Sequence, residues 1–259
     1  MRLANPPIVE VGVEFQFDPN PEKPPWDLPV AMPFIQRFQE SLPHVEIVQA
    51  EEIRIEKRSS RGIPEKLSGK ISLDHVKAQD KDERRRLEVG SDRMGYRLLR
   101  CGKEYPGFDS LLIEALDKLS QYVEHFHPTA VRGAALTYLD IVKIPVTPGE
   151  GVDLDDYFRL GLRVPDDPFG VLGGFSIKLI FPHSPRADGV LLVFATEPTT
   201  EDGALRFRMR WQGPCDGINS LGPDAISQRL EAAHEHMRKC FMACFTEKGL
   251  GLFDPTGCE

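Results

Sequence analysis

Residues 8–17 read Ile8-Val9-Glu10-Val11-Gly12-Val13-Glu14-Phe15-Gln16-Phe17. Val9, Val11, Val13, Phe15 and Phe17 fall in one phase, Glu10, Gly12, Glu14 and Gln16 in the other. This alternation predicts a half-buried β-strand. A second long run, residues 131–144, opens the other half of the chain. There both phases are largely apolar: Val131, Ala135, Leu139 and Ile141 against Ala134, Leu136, Tyr138 and Val142. A strand apolar on both sides belongs in the middle of a sheet.

The two strands have similar sequels. After the first, Phe34, Ile35, Phe38 and Leu42 predict a helix over 32–42, followed by strands over 45–57, 71–78 and 85–99. A long helix over 109–126 then places Leu112, Leu116, Leu119, Val123 and Phe126 on one face, and Pro128 stops it. After the second, Asp153 caps a short helix, strands follow over 175–181, 190–195 and 205–211, and a long helix spans 225–245. In that helix Ile226, Leu230, Ala233, Met237, Cys240 and Cys244 form a narrow apolar seam. The prolines of 18–29 and the polar residues 58–68 read as loops.

This order predicts an α+β chain built from two copies of a β-α-β-β-β-α unit, residues 1–128 and 129–259. One compact body is expected, with a continuous antiparallel sheet and both long helices on one face. The saddle of the TATA-binding protein has this order, and only that architecture carries over.

The 259 residues are 41% hydrophobic and 28% charged, a globular composition. A net charge of −8 argues against a general nucleic-acid binder, which needs a basic field. No apolar stretch is long enough to cross a membrane, and the N-terminal residues lack the apolar region of a leader peptide. The five cysteines are scattered, which suggests reduced thiols. A cytoplasmic location is the expectation.

The sharpest side-chain pattern is Arg206, Arg208 and Arg210 on one face of a strand, alternating with Leu205, Phe207, Met209 and Trp211. Three guanidiniums in a row repel one another unless carboxylates or an anionic ligand lie opposite. Glu10, Glu14, Glu52 and Glu56 are the candidate carboxylates if their strands are neighbours. Otherwise the row is a docking face, with Glu10, Glu14 and Arg54 beside it. Glu10 and Glu14 stand too far apart along their strand to share a substrate atom. Arg84-Arg85-Arg86 follows an acidic run and reads as a solvated hairpin tip.

His236, Cys240 and Cys244 stack along one helix side and have zinc-ligand chemistry, yet one helix supplies too few ligands and both cysteines complete the apolar seam. His234 lies at the opposite edge of that seam from His236. His125 and His127 end a helix, where a cationic imidazole suits the dipole. Trp26 sits in the proline-rich loop as an aromatic anchor or a half-buried ring. There is no phosphate-binding glycine loop, nucleophile elbow, His-Glu-x-x-His or Cys-x-x-Cys.

Several segments taken in order resemble a sporadically distributed bacterial protein family of about this length whose function is uncharacterised. They are Asn5-Pro6-Pro7-Ile8-Val9-Glu10, Gly90-Ser91-Asp92-Arg93, Tyr105-Pro106-Gly107-Phe108 and Asp153-Leu154-Asp155-Asp156-Tyr157-Phe158. The last group is Ala233-His234-Glu235 with Phe241, Phe245, Thr246 and Leu252-Phe253. The family tends to carry a Tyr flanked by Arg and Asn-Arg in its central strand. Only Tyr138 of that set stands here. The resemblance implies a cytosolic bacterial protein and supplies no reaction.

The function expected from sequence is non-catalytic binding of a protein, peptide or anionic ligand on the open sheet face through Arg206, Arg208, Arg210, Glu10, Glu14 and Arg54. One alternative is an enzyme with a polar pocket between the halves, using Tyr138, Asp140 and a histidine. The second is a single-stranded nucleic-acid binder, which requires aromatics on the open face. No cofactor or membrane is expected, and a homo-oligomer is compatible with the sequence.

Overall fold

The computed structural model describes residues 3–58, 64–100, 106–147, 151–161, 174–182, 189–198, 203–216 and 222–253, with 51–58 and 64–71 as strand and register only. In chain order the elements are β1 (Ile8–Asp18), α1 (Leu28–Gln36), β2 (His44–Arg58), β3 (Pro64–Gln79), β4 (Arg85–Gly90), β5 (Arg93–Leu99) and α2 (Phe108–Phe126). Then come β6 (Ala130–Ile144), a 3-10 turn (Leu154–Asp156), β7 (Ser176–Phe181), β8 (Val190–Glu197), β9 (Leu205–Asp216), α3 (Pro223–Ala243) and α4 (Glu247–Gly251). The nine strands form a single sheet in the order β2-β3-β4-β5-β1-β6-β9-β8-β7, antiparallel at every step. The chain is α+β, as its sequence order predicts.

The two strands that decide the reading are the centre of this sheet and pair with each other, Val11 opposite Tyr138 and Val13 opposite Leu136. One phase of each strand is buried: Val11, Val13, Phe15 and Phe17 of β1, and Leu136, Tyr138, Asp140, Val142 and Ile144 of β6. The helices cover that phase. α2 lies on β1 and β5, α3 on β9, β6 and β8, and the two long helices touch each other. Burying alternate apolar residues against amphipathic helices is the main force holding the layers together. Where α3 crosses β9, a side chain at Gly213 would put a Cβ 2.9 Å from Met237 Sδ, so glycine sets the approach of helix to sheet.

Four local expectations change. The run over 85–99 is two strands, not one: Ser91 and Asp92 turn it into a β4–β5 hairpin, in which Leu87 pairs with Tyr96. Apolar alternation stands on both sides of Gly90-Ser91-Asp92 but slips by one residue, from Leu87 and Val89 to Met94, Tyr96 and Leu98, and that slip is the turn. The first half therefore holds five strands. α1 starts at Leu28, because a proline in the first turn forfeits no hydrogen bond; Asp27 caps it, accepting from the Val30 N–H at 3.0 Å. β3 begins at Pro64, inside the stretch read as a loop. Arg85 is not merely solvated: its Nε donates to Glu114 Oε2 at 2.9 Å, and Tyr96 Oη donates to the same oxygen at 2.5 Å. These bonds tie α2 to β4 and β5 and hold Glu114 below the usual carboxylate range against its burial.

At the end of α2, His127 takes the left-handed C-cap conformation (φ 49°, ψ 52°) and its backbone N–H returns to Val123 O. His125 does not favour the charged form there. Burial first, then the Arg37 guanidinium, lowers its proton affinity. Trp26 is half-buried and packs on Phe126 at 5.6 Å. Among the described residues no helix is long and apolar enough to cross a membrane.

Candidate ligand-binding cleft

Three structural features build a cavity of about 740 Å³ where the start of α2 and the middle of α3 meet β6 and β9. The first is the phase of β6. Leu136, Tyr138 and Val142 point toward the helices, and strict alternation carries Asp140 with them, to 2% exposure. The second is Gly107, whose φ of 91° is open to glycine and turns the chain into α2 with Phe108 as the first helical residue. The third is the seam of α3, which faces β6 and β9 and brings His234, Met237 and Phe241 over the same spot. Trp211 forms the sheet side, and the segment from Leu3 to Ile8 forms another wall.

Polar groups in this mostly apolar cavity are few and converge. Tyr138 Oη lies 2.8 Å from His234 Nδ1. The His234 ring stacks on Phe108 at 4.1 Å with an interplanar angle of 5°. Phe108 belongs to α2 and His234 to α3, so this stack bridges the halves. Burial lowers the proton affinity of His234, although the carboxylates of Glu235 and Asp109 oppose that. A neutral imidazole with its proton on Nε2 accepts the phenol's hydrogen at Nδ1.

Asp140 is the outlier. Burial pushes its carboxyl up to about 7. The Trp211 indole stands close enough to favour the ionised form. No hydrogen bond of good geometry forms between them, for Asp140 Oδ1 and Trp211 Nε1 are both buried without a partner among the described residues. Oδ1 of the carboxyl is thus left unsatisfied among the described residues. A carboxyl that changes charge near neutrality, beside a phenol–imidazole pair, can give up or take a proton from a bound molecule.

The other residues singled out in the sequence are dispersed. Arg206, Arg208 and Arg210 lie on the sheet face turned away from the helices, with Arg208 and Arg210 exposed. Arg208 pairs with Glu197 at 3.0 Å. Glu10 and Glu14 share that face, but β6 separates β1 from β9. Glu10 instead accepts from Arg97 Nη1 at 2.7 Å. Arg54 is on β2, the opposite edge strand, so it does not stand beside the arginine row; its side chain lies outside the described residues, as do those of Glu52 and Glu56. His236 Nε2 is 3.9 Å from Cys240 Sγ. Cys244 is buried and its thiol is pushed up to about 12. Among the described residues no three His, Cys, Asp or Glu side chains form a group suited to a metal ion.

Tyr138 and Asp140 are thus brought together with His234, while Trp211, read from sequence only as a buried-face residue, and Phe108 and Phe241, met there only in the segments of the resemblance, are additions. The available signal was Asp140 itself, a carboxylate in the apolar phase of a central strand. Compared with known proteins, the chain matches no family model and no curated sequence.

Proposed function

We propose that the chain binds a small organic molecule in the cleft between its halves. The observation that carries this is the buried, unpartnered Asp140 carboxyl in the wall of an apolar cavity. Burying such a group costs stability without a gain in the empty protein, which fits a site awaiting a partner. Segments that carry the bacterial resemblance also converge there: Pro6 to Ile8, Pro106 to Phe108, His234 and Phe241 line the cavity. Proton transfer by Asp140 and the Tyr138–His234 pair is the catalytic form of the same reading.

The finer fold reading supports a cleft at this place. Outward from the central pair the order runs β5-β4-β3-β2 on one side and β9-β8-β7 on the other, and each long helix follows the strand next to the centre. We read this as two copies of one unit, the first with an added edge strand, arranged as in a saddle. The seam between copies is then the natural ligand site.

Trp26→Phe leaves Trp211 as the sole indole. Screening a fragment library of cations, anions and neutral molecules by Trp211 emission is expected to give ligands whose binding, measured by calorimetry, Met242→Trp abolishes by filling the cleft, with circular dichroism unchanged. Ligands that bind the filled variant equally well would move the site elsewhere and sink the reading.

A second reading keeps the arginine row as a docking face for an acidic partner. It is favoured by the exposure of Arg208, Arg210, Lys143 and Lys178 on adjoining strands of one face, where the register places Glu197 as the acid among them. A labelled oligoglutamate peptide should bind, weaken with salt, and lose about tenfold in affinity in Arg208→Glu/Arg210→Glu. Equal binding by the variant removes this reading. The single-stranded nucleic-acid alternative loses ground, because Phe207 and Trp211 are on the helix side and the described open-face residues of β1 and β5 to β9 include no aromatic ring.

A further inference from the structure

We infer that the ligand of the cleft is an organic cation, an ammonium group on an apolar body, with Asp140 as its counter-ion and the rings of Phe108, Tyr138, Trp211 and Phe241 as its walls. The inference rests on the cleft being a binding site and specifies its chemistry.

The argument starts from charge. Asp140 is 2% exposed, and no lysine, arginine or histidine pairs with it among the described residues. A carboxylate so placed is stabilised by an entering cation more than by any neutral group. The other charged and titratable groups around the cavity agree. Asp109 on α2 adds a second acid. Arg238 on α3 is held by Glu235, at 2.9 Å from Nε and 2.7 Å from Nη2. Burial lowers the proton affinity of His234, and Tyr138 is engaged with it. An anionic ligand would meet two carboxyls and no uncommitted cation.

The walls point the same way. Four of the lining side chains are aromatic, and aromatic faces attract ammonium groups, tryptophan most strongly. Leu3, Pro6, Pro7, Ile8, Met237 and Met242 supply apolar surface for the body of the molecule. The volume of about 740 Å³ lies in the range of small-ligand sites.

The test uses three ligands of one shape, benzylammonium, benzyl alcohol and benzoate, titrated at pH 8 into Trp26→Phe and followed by Trp211 emission. Benzylammonium is expected to bind tightest. Asp140→Asn should weaken it by about tenfold, as loss of a close charge pair implies, and leave the alcohol within about twofold. A second variant, Phe108→Leu, should weaken benzylammonium more than the alcohol, because only the cation uses the ring face. If the alcohol or benzoate binds as well as the ammonium, and Met242→Trp still blocks it, the cation assignment falls while the cleft stands. If none of the three binds, both fall.

Discussion

Asp140→Asn is expected to become more stable relative to the unsubstituted chain as pH rises, by on the order of 4 kcal/mol between pH 4 and pH 8. In the unfolded chain the carboxyl ionises at the ordinary value of 3.8, and in the folded chain at about 7. Between those values the folded protein holds a proton that the unfolded chain has released. Stability therefore falls as pH rises through that window and levels off above pH 7. Asparagine keeps the shape and removes the titration. Urea denaturation of both proteins at several pH values isolates the term, because every other group cancels in the difference. Parallel stability curves would show that the carboxyl is solvated or paired and would remove the ground for the ligand reading. A bound cation has the opposite effect: above pH 7 it restores what the ionised carboxyl costs.

The second large effect is placed in the other half. Tyr122→Ala should lose about 4 kcal/mol. Tyr122 is 1% exposed, stacks on Phe17 at 4.4 Å, and meets Phe126 at 4.6 Å and the edge of Phe34 at 6.0 Å. It joins α2, β1 and α1 at one point. Tyr122→Phe keeps the ring and removes only the bond to Gly90 O at 3.1 Å, so about 1 kcal/mol is expected. Ile113→Ala, on the same helix but 71% exposed, should change stability by less than about 0.5 kcal/mol. A loss below 1 kcal/mol in Tyr122→Ala would mean that the cluster repacks and does not fasten α2 to the sheet.

Much of the architecture could be read from side-chain periodicity, because burial of one phase is what makes a strand or helix alternate. β1, β6, β9, α2 and α3 were legible for that reason. The hairpin at Ser91-Asp92 was missed although the buried phase slips by one residue across it, from Leu87 and Val89 to Met94, Tyr96 and Leu98, because no proline or Asn-Gly pair marks the turn. The start of α1 was hidden by prolines that serve equally well in a loop. Strand order was beyond the sequence, and with it the neighbours of each charge. Glu10 was matched to the arginine row and instead meets Arg97, because β6 stands between. The site was half legible: Tyr138 and Asp140 were paired from one strand, whereas Phe108 and His234 reach them only through the packing of α2 against α3.

The central position of β1 shapes how the chain must be made. It precedes the other eight described strands in the chain, yet its neighbours are β5, which begins at Arg93, and β6, which begins at Ala130. Emerging from a ribosome, the strand keeps two unsatisfied edges and five apolar side chains in one phase until the chain has run on to Arg93, where the first of its neighbours begins. Non-local closure of this kind slows folding and exposes sticky intermediates. Glu10 and Glu14 stand in the opposite phase, where like charges disfavour pairing of this strand with copies of itself.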